Sequence, residues 1–206
     1  MKKLLPLLLI LLSPLAARAA DDKMLYVEYK LTGKQIAADS FDAQVKKLWR
    51  VGDAFLRFED APNPTTKVHG LIIVAEPDIW IADLNTNKAQ HTVDPGPTFK
   101  IHFPLLASEP SDKLREMEFG RELEFFVENG AIDLPAQDID GVRCKPRQLK
   151  VEDREVTLCT RSDDTPVQIA VKSPDYEYAV KFLRYERDRR PNKTLFQLPA
   201  EVKIQK

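Results

Sequence analysis

Residues 71–84, LIIVAEPDIWIADL, constrain the fold more than any other part of the sequence. The run is strongly apolar, but a Glu-Pro-Asp triplet at residues 76–78 interrupts it, and a proline between acidic residues is typical of a turn. The run is also too short and too interrupted for a membrane-spanning helix. We therefore predict a tight β-hairpin with strands at about 68–75 and 79–84.

Both faces of this predicted hairpin are apolar. If Ala75 pairs with Asp78, the alternation of side chains along each strand assigns every residue to a face. One face then carries Leu71, Ile73, Trp80, Ala82 and Leu84, and the other carries Ile72, Val74, Ile79 and Ile81. Antiparallel sheets usually leave one face in water, so this hairpin needs a cover on each side. We predict a curved antiparallel sheet with a core on one side and helices or loops on the other.

Residues 41–59 form a second predicted hairpin, with its turn at Gly52-Asp53. Pairing Val51 with Ala54 separates apolar from polar side chains, with Leu48 and Phe55 as exceptions. The apolar face then carries Phe41, Ala43, Val45, Trp49, Val51, Ala54, Leu56 and Phe58, with Lys47 as its only charge. A slip of one residue would turn each of these side chains to the other face.

The second half of the chain adds a helical region and further strands. The spacing of apolar residues predicts a helix over 111–130, which Gly120 weakens in the middle, so two short helices are an alternative. Residues 94–110 contain four prolines and the aromatics Phe99 and Phe103. We predict an irregular crossing segment there, either a lid or binding loop or a surface crossover with buried aromatics.

Cys144 and Cys159 are the only cysteines of the chain. They flank a predicted hairpin with its tip at residues 152–154, so they lie on one face, opposite or diagonal, within bridging range. A redox pair is the alternative, but the Cys-x-x-Cys spacing is absent. In an exported chain this pattern predicts a structural disulfide.

Residues 1–19 have the features of a secretory signal peptide. Two lysines precede an apolar run at residues 4–15, and Ala17-Arg18-Ala19 fits a cleavage site. The run is too short for a stable membrane anchor. Its removal lowers the basic residues from 31 to 28 against 32 acidic residues, a net charge of −4, which argues against nucleic acid as a partner. We expect residues 20–206 to form a single domain in the periplasm.

The sequence contains no pattern that predicts catalysis. None of His69, His91 and His102 has the spacing of a helical zinc motif, and no cysteine completes such a site. The G-x-S-x-G nucleophile elbow, the Walker loop and the dinucleotide glycine fingerprint are missing. Acidic pairs such as those at 122 and 124 are expected on a solvated surface. We expect no enzymatic activity, no cofactor and no metal.

Several motifs resemble the outer-membrane lipoprotein carrier (LolA-like) superfamily over most of the mature chain. They are the W-R-x-G-D turn at 49–53, FGRELEFFVENGA at 119–131 and F-x-L-P-x-x-V-x-I at 196–204. The resemblance implies an open half-barrel whose concave face is apolar and closed by helices. It also implies a role in carrying lipoprotein acyl chains across the periplasm, while relatives include stress-sensor regulators. Arg50 and Arg57 are its candidate ligand-contacting arginines.

We therefore predict a mainly β (α+β) half-barrel of about nine to eleven antiparallel strands, with one or two helices on the concave side. The expected function is binding of lipid or lipoprotein acyl chains in an apolar cavity, by a monomer. The cavity residues would be Val45, Trp49, Leu56, Phe58, Ile73, Trp80, Phe99, Phe103 and Phe126. The alternative is an envelope protein-interaction or stress-sensing module with a filled core. Its partners would be inner- or outer-membrane proteins, contacted by edge strands or loops.

Overall fold

The computed structural model describes residues 23–97 and 100–205. The predicted signal peptide, residues 1–19, lies outside this range. The elements in chain order are β1 (Met24–Gly33), β2 (Lys46–Val51), β3 (Phe55–Glu59), β4 (Gly70–Ala75), β5 (Asp78–Asp83), β6 (Lys88–Val93), α1 (Asp112–Arg115), α2 (Glu122–Glu128), β7 (Ile132–Asp133), β8 (Gln137–Ile139), β9 (Val142–Val151), β10 (Arg154–Thr160), β11 (Pro166–Lys172), β12 (Glu177–Arg189), a short 3-10 helix (Lys193–Phe196) and β13 (Lys203–Ile204).

The strands form one open, curved sheet with β1 near its centre. Its order is β13-β6-β5-β4-β3-β2-β1-β12-β11-β10-β9-β7, and β8 pairs with β9 off this path. All neighbours run antiparallel except β13, which runs parallel to β6. The predicted fold class is confirmed. Among the described residues, ten strands have five residues or more, and three others have only two or three.

The predicted register of the β4–β5 hairpin is confirmed. Ala75 pairs with Asp78, and Ile73 pairs with Trp80. The peptide bond before Pro77 is cis, at the turn that the Glu-Pro-Asp triplet predicts. Both faces of the hairpin belong to hydrophobic clusters, one on each side of the sheet.

The predicted register of the β2–β3 hairpin is wrong by one residue. Val51 pairs with Phe55 instead of Ala54, because the loop has three residues and begins at Gly52 with a φ of +54°. The shift separates side chains that were expected together. Leu48 and Leu56, both fully buried, share one face, whereas Trp49 lies on the other. Leu48 and Phe55, which did not fit the predicted register, each lie beside an apolar partner in the observed one: Leu48 pairs with Phe58, and Phe55 pairs with Val51.

Different parts of the chain cover the two faces of the sheet. The crossing segment, residues 100–131, packs on one face, which we call the crossing face. The tail segment, residues 193–204, packs on the opposite face, which we call the tail face. The single helix predicted over 111–130 is replaced by its alternative, two short helices, and Gly120 separates them with a φ of +92°. An added Cβ at Gly120 would also lie 3.1 Å from a Leu25 methyl group.

Cys144 and Cys159 form the predicted disulfide. Cys159 pairs with Pro146 across the β9–β10 ladder, so the two cysteines lie diagonally on one face with their Cα atoms 5.6 Å apart. Both are buried, and they pack with Val167 in a small cluster of their own. The bridge therefore fastens the end of the hairpin that is remote from its turn.

Replacing both cysteines by serine should lower the free energy of unfolding by about 3 kcal/mol, because the bridge closes a loop of 15 residues. Urea denaturation followed by circular dichroism measures this loss. Adding reductant should lower the midpoint of the native protein similarly and leave that of the double variant unchanged. A native protein indifferent to reductant would contradict this role of the bridge.

In the part of the chain that the structure describes, no helix is long and apolar enough to cross a membrane.

Candidate functional site

The crossing face of the sheet is largely filled by the chain itself. Leu114, Met117 and Phe126 are fully buried against the strands, and α2 packs on β9 and β10. The buried apolar side chains from the crossing segment are Ile101, Leu105, Leu106, Leu114, Met117, Phe119, Phe125 and Phe126. They form a single cluster with side chains of β1 to β4 and β9 to β12.

The predicted cavity residues do not all face one concavity, so that expectation is wrong. Trp49, Ile73 and Trp80 lie on the tail face, in a cluster completed by Phe196 and Val202 of the tail segment. The one-residue shift of the β2–β3 register moves Trp49 there. The alternation of β4 and β5 puts Ile73 and Trp80 on the same side as Trp49.

Four other predicted residues meet in the crossing-face cluster. Leu56 and Phe126 are fully buried within it, whereas Phe58 and Phe103 are partly buried at its margin, with ring centroids 5.1 Å apart. Val45 is half-buried just before β2. Phe99 lies outside the described residues.

An open groove remains on the crossing face where the crossing segment does not reach, over β4, β5 and β6. Its volume is about 440 Å³. Ile72 and Ile81, a facing pair across β4 and β5, lie in its floor, and Val68 lies beside them. Ile81 is 56% exposed and Val68 is 44% exposed. The groove therefore presents two large apolar side chains to solvent.

Polar side chains from neighbouring strands line the rest of the open groove. Asp60, Asp83, Lys88 and Gln90 contribute to its wall. Asp83 is held in place because it accepts hydrogen bonds from the backbone N–H groups of His69 (3.0 Å) and Asn85 (3.1 Å). These hydrogen bonds hold the pKa of the Asp83 carboxyl below its usual range.

Asp60 is the least satisfied polar group of the groove. Its Oδ1 atom is buried without a hydrogen-bond partner in the structure. Burial raises the pKa of Asp60, although the positive charge of Lys46 acts in the opposite direction. Lys46 itself is buried, donates to the carbonyl of Phe41 (3.0 Å), and has its pKa lowered by burial.

Arg50 anchors the crossing segment to the sheet. Its guanidinium donates to Asp53 Oδ1 (2.9 Å), Glu118 Oε2 (3.2 Å) and the Gly52 carbonyl (2.9 Å). Glu118 Oε1 accepts in turn from the Phe103 backbone N–H (3.0 Å). Of the two arginines that the resemblance nominated, Arg50 is thus committed to internal contacts.

Arg57, the second nominated arginine, serves the tail face. It donates to the Leu195 carbonyl (3.3 Å) and to Glu59 (2.9 Å). Its guanidinium also lies 5.7 Å from the Trp49 ring. The hydrogen bond to Leu195 fastens the tail segment onto the sheet.

Two buried carboxyl groups tie the crossing segment to the other half of the sheet. Glu109 accepts from the hydroxyls of Tyr176 and Tyr178, both at 2.7 Å, and from Arg154 Nε at 3.1 Å. Glu122 is fully buried and accepts from the Tyr185 hydroxyl at 2.7 Å. Burial raises the pKa of Glu122. These groups hold structure together and face no open cavity described above.

The histidines lie apart from one another. His91 stacks on Trp80, with ring centroids 5.2 Å apart, and its Nε2 lies 2.7 Å from Asp78 Oδ1. His102 approaches Glu118, and His69 approaches Glu59. Within residues 23–97 and 100–205, no group of three or more His, Cys, Asp or Glu side chains is placed to hold a metal ion.

Sequence reasoning identified the floor of the open groove but not its importance. Ile72 and Ile81 were assigned to the second face of the hairpin, and their apolar character was the available signal. Asp60 was missed, because nothing in its sequence neighbourhood distinguishes it from other surface carboxylates. Its position beside Gly70 depends on the pairing of β3 with β4.

Comparison with known proteins identifies the fold but no family. No model of a known protein family matches the chain, and no curated protein matches it in sequence. An uncharacterized conserved protein from Thermus thermophilus, known from a crystal structure, is similar with a TM-score of 0.50 at 8% identity. The similarity covers 89% of this chain and 90% of that chain, and it shows a shared fold alone.

Two structures of PNGF-II, in space groups P21 and C2, are more distant. Their TM-scores are 0.38 and 0.36 at 10% and 8% identity. The matches cover 89% and 88% of this chain but only 31% and 30% of those chains. Similarity at this level carries no functional argument.

Proposed function

We propose that this protein is an exported, non-enzymatic binding module of the periplasm that holds a partner protein in its open groove. The observation that carries the proposal is the filled crossing face, because the space that an acyl-chain carrier would use is taken by the chain's own side chains. The disulfide supports an oxidising compartment, which fits export. The relation to lipoprotein carriers stays a prediction.

The open groove suits an extended peptide. Ile72, Ile81 and Val68 provide an apolar floor, and Asp60 and Lys88 provide polar groups at its wall. Protein interfaces combine an apolar centre with a polar rim, as this groove does. A peptide carries donors and acceptors for such groups, whereas an acyl chain carries none.

The neighbouring edge of β6 supports the same partner. β13 pairs only with Lys88 and Ala89, so among the described residues no strand covers the outer edge of residues 90–93. Outward-facing N–H and C=O groups of an edge strand can bind an added strand. A partner segment could therefore extend the sheet next to β13 while its side chains enter the groove.

An acyl chain in the same open groove is the second candidate. The groove volume of about 440 Å³ and its isoleucine floor favour it. The two candidates share the open groove as the binding site and differ only in the chemistry of the ligand. Both candidates differ from a carrier that holds its ligand beneath the crossing segment.

Replacing Ile81 by aspartate should weaken partner binding about tenfold or more, because burying an isoleucine side chain contributes about 1.5–3 kcal/mol. Stability should change little, since Ile81 is exposed. A photo-cross-linking residue at position 81 should capture one discrete protein in cells. The matched control is position 183, where Leu183 is 45% exposed on β12, away from the groove.

A fluorescent fatty acid separates the two candidates. The purified protein should not bind it if the ligand is a peptide. Binding that Ile81→Asp abolishes and Leu183→Asp spares would favour the acyl chain. Equal cross-linking at positions 81 and 183 would contradict a binding site in the groove.

A further inference from the structure

A second pocket lies where the strands at the centre of the sheet end, beside the start of β1 and the β2–β3 loop. Its volume is about 250 Å³, and it is separate from the open groove. Four of its lining side chains are cationic and one is acidic: Lys23, Arg50, Arg121, Arg187 and Asp53. The chain as a whole carries a net charge of −1, so this concentration of positive charge is local. We call it the cationic pocket.

Arg50 forms the rigid base of the cationic pocket. Its side chain is 6% exposed. It is fixed by the Gly52 carbonyl and by Glu118, and it approaches the Phe119 carbonyl at 3.4 Å. A guanidinium held in this way needs no ordering when a ligand arrives, which favours binding of an anion.

Asp53 and Arg121 form the adjoining wall. Asp53 Oδ1 accepts hydrogen bonds from Arg50 and from Arg121, both at 2.9 Å. About half of the Arg121 side chain is exposed. Burial alone would raise the pKa of Asp53. The hydrogen bond from Arg50 and the charges of Arg121 and Lys100 hold it below its usual value instead. Glu118 also approaches Arg50 at 3.2 Å and Arg121 at 3.7 Å, so two carboxylates lie beside these two cations.

Arg187 and Lys23 complete the pocket from β12 and the start of β1. Arg187 is exposed, donates to the Asp164 carbonyl (2.9 Å), and lies 5.3 Å from the Tyr185 ring. Lys23 forms an exposed ion pair with Asp188. Both cations therefore keep donors that a ligand in the pocket could use.

We propose that the cationic pocket binds a phosphate-type anion, either free in solution or as the head group of an anionic lipid. Arg121 and Arg187 contact the anion, and Arg50 contributes a fixed positive charge behind them. Arginine is suited to this role because its planar guanidinium matches the oxygens of phosphate in pairs. The site is independent of the partner that the open groove takes.

Isothermal titration calorimetry with inorganic phosphate at low ionic strength tests the soluble form. The wild-type protein should bind, and Arg121→Ala/Arg187→Ala should lose about tenfold or more in affinity, because two charge-assisted hydrogen bonds are removed. The control Lys150→Ala/Lys172→Ala removes the same two charges from exposed positions on β9 and β11. It should bind as the wild type does.

Sedimentation with vesicles tests the lipid form. Vesicles containing phosphatidylglycerol should carry down the wild type and the control variant but not Arg121→Ala/Arg187→Ala, and phosphatidylcholine vesicles should carry down none of them. Binding of phosphate alone assigns a soluble anion, and binding of vesicles alone assigns a lipid head group. Absence of both, or equal losses in the two double variants, would overturn the proposal.

Discussion

Replacing Phe126 by alanine should lower the free energy of unfolding by about 3–5 kcal/mol, among the larger effects of any single core substitution. Phe126 lies on α2 and is fully buried in the crossing-face cluster. Its removal leaves a cavity between the helix and the sheet that rigid strands cannot close. Urea denaturation followed by circular dichroism measures the loss.

The neighbouring Val127 provides a matched control on the same helix. It is 63% exposed, so Val127→Ala should change the free energy of unfolding by less than about 0.5 kcal/mol. Similar small effects at both positions would mean that α2 does not pack on the sheet.

Replacing Arg50 by alanine should cost about 3–5 kcal/mol, because it leaves the buried carboxylate of Glu118 without its main cation. It should also loosen the crossing segment, since Glu118 accepts from the Phe103 backbone. Hydrogen exchange should therefore accelerate within residues 100–121. Chemical denaturation measures the loss in free energy of unfolding, and hydrogen exchange shows which residues are loosened.

A double variant distinguishes the buried ion pair from a packing effect of Arg50. Arg50→Ala/Glu118→Gln removes the uncompensated charge, so it should be more stable than Arg50→Ala alone. The exposed pair Arg143 and Asp138 is the comparison, and Arg143→Ala should change stability by about 1 kcal/mol or less. If Arg50→Ala costs no more than Arg143→Ala, the anchoring role of Arg50 is wrong.

The two hairpins show how far sequence patterns determine this fold. The β4–β5 register was predictable because the Glu-Pro-Asp triplet specifies the turn and both strands are short. The β2–β3 register was not, because Gly52-Asp53 suggested a two-residue turn and the loop has three. The apolar residues do alternate along the strands, but they pack into two clusters, one on each face, instead of one. Trp49 packs in the cluster that the tail segment completes.

The filled crossing face could not be predicted from the same patterns. The apolar residues of the crossing segment are visible in the sequence, and Gly120 gave two short helices as the alternative to one. Whether such residues fill a sheet face or roof a cavity depends on how deeply distant segments pack. The anchors Glu109 and Glu122 reach partners 67 and 63 residues away, and no local pattern predicts such contacts.

Native mass spectrometry of the protein, purified without detergent from the cells that produce it, tests whether the crossing face is filled by the chain itself. We expect the mass of the disulfide-bonded chain with no lipid, because the crossing segment occupies the sheet face. Stoichiometric lipid that is lost in Ile81→Asp would place an acyl chain in the open groove, as the second candidate proposes. Stoichiometric lipid that persists in Ile81→Asp would mean that lipid lies beneath the crossing segment, and the filled crossing face would be wrong.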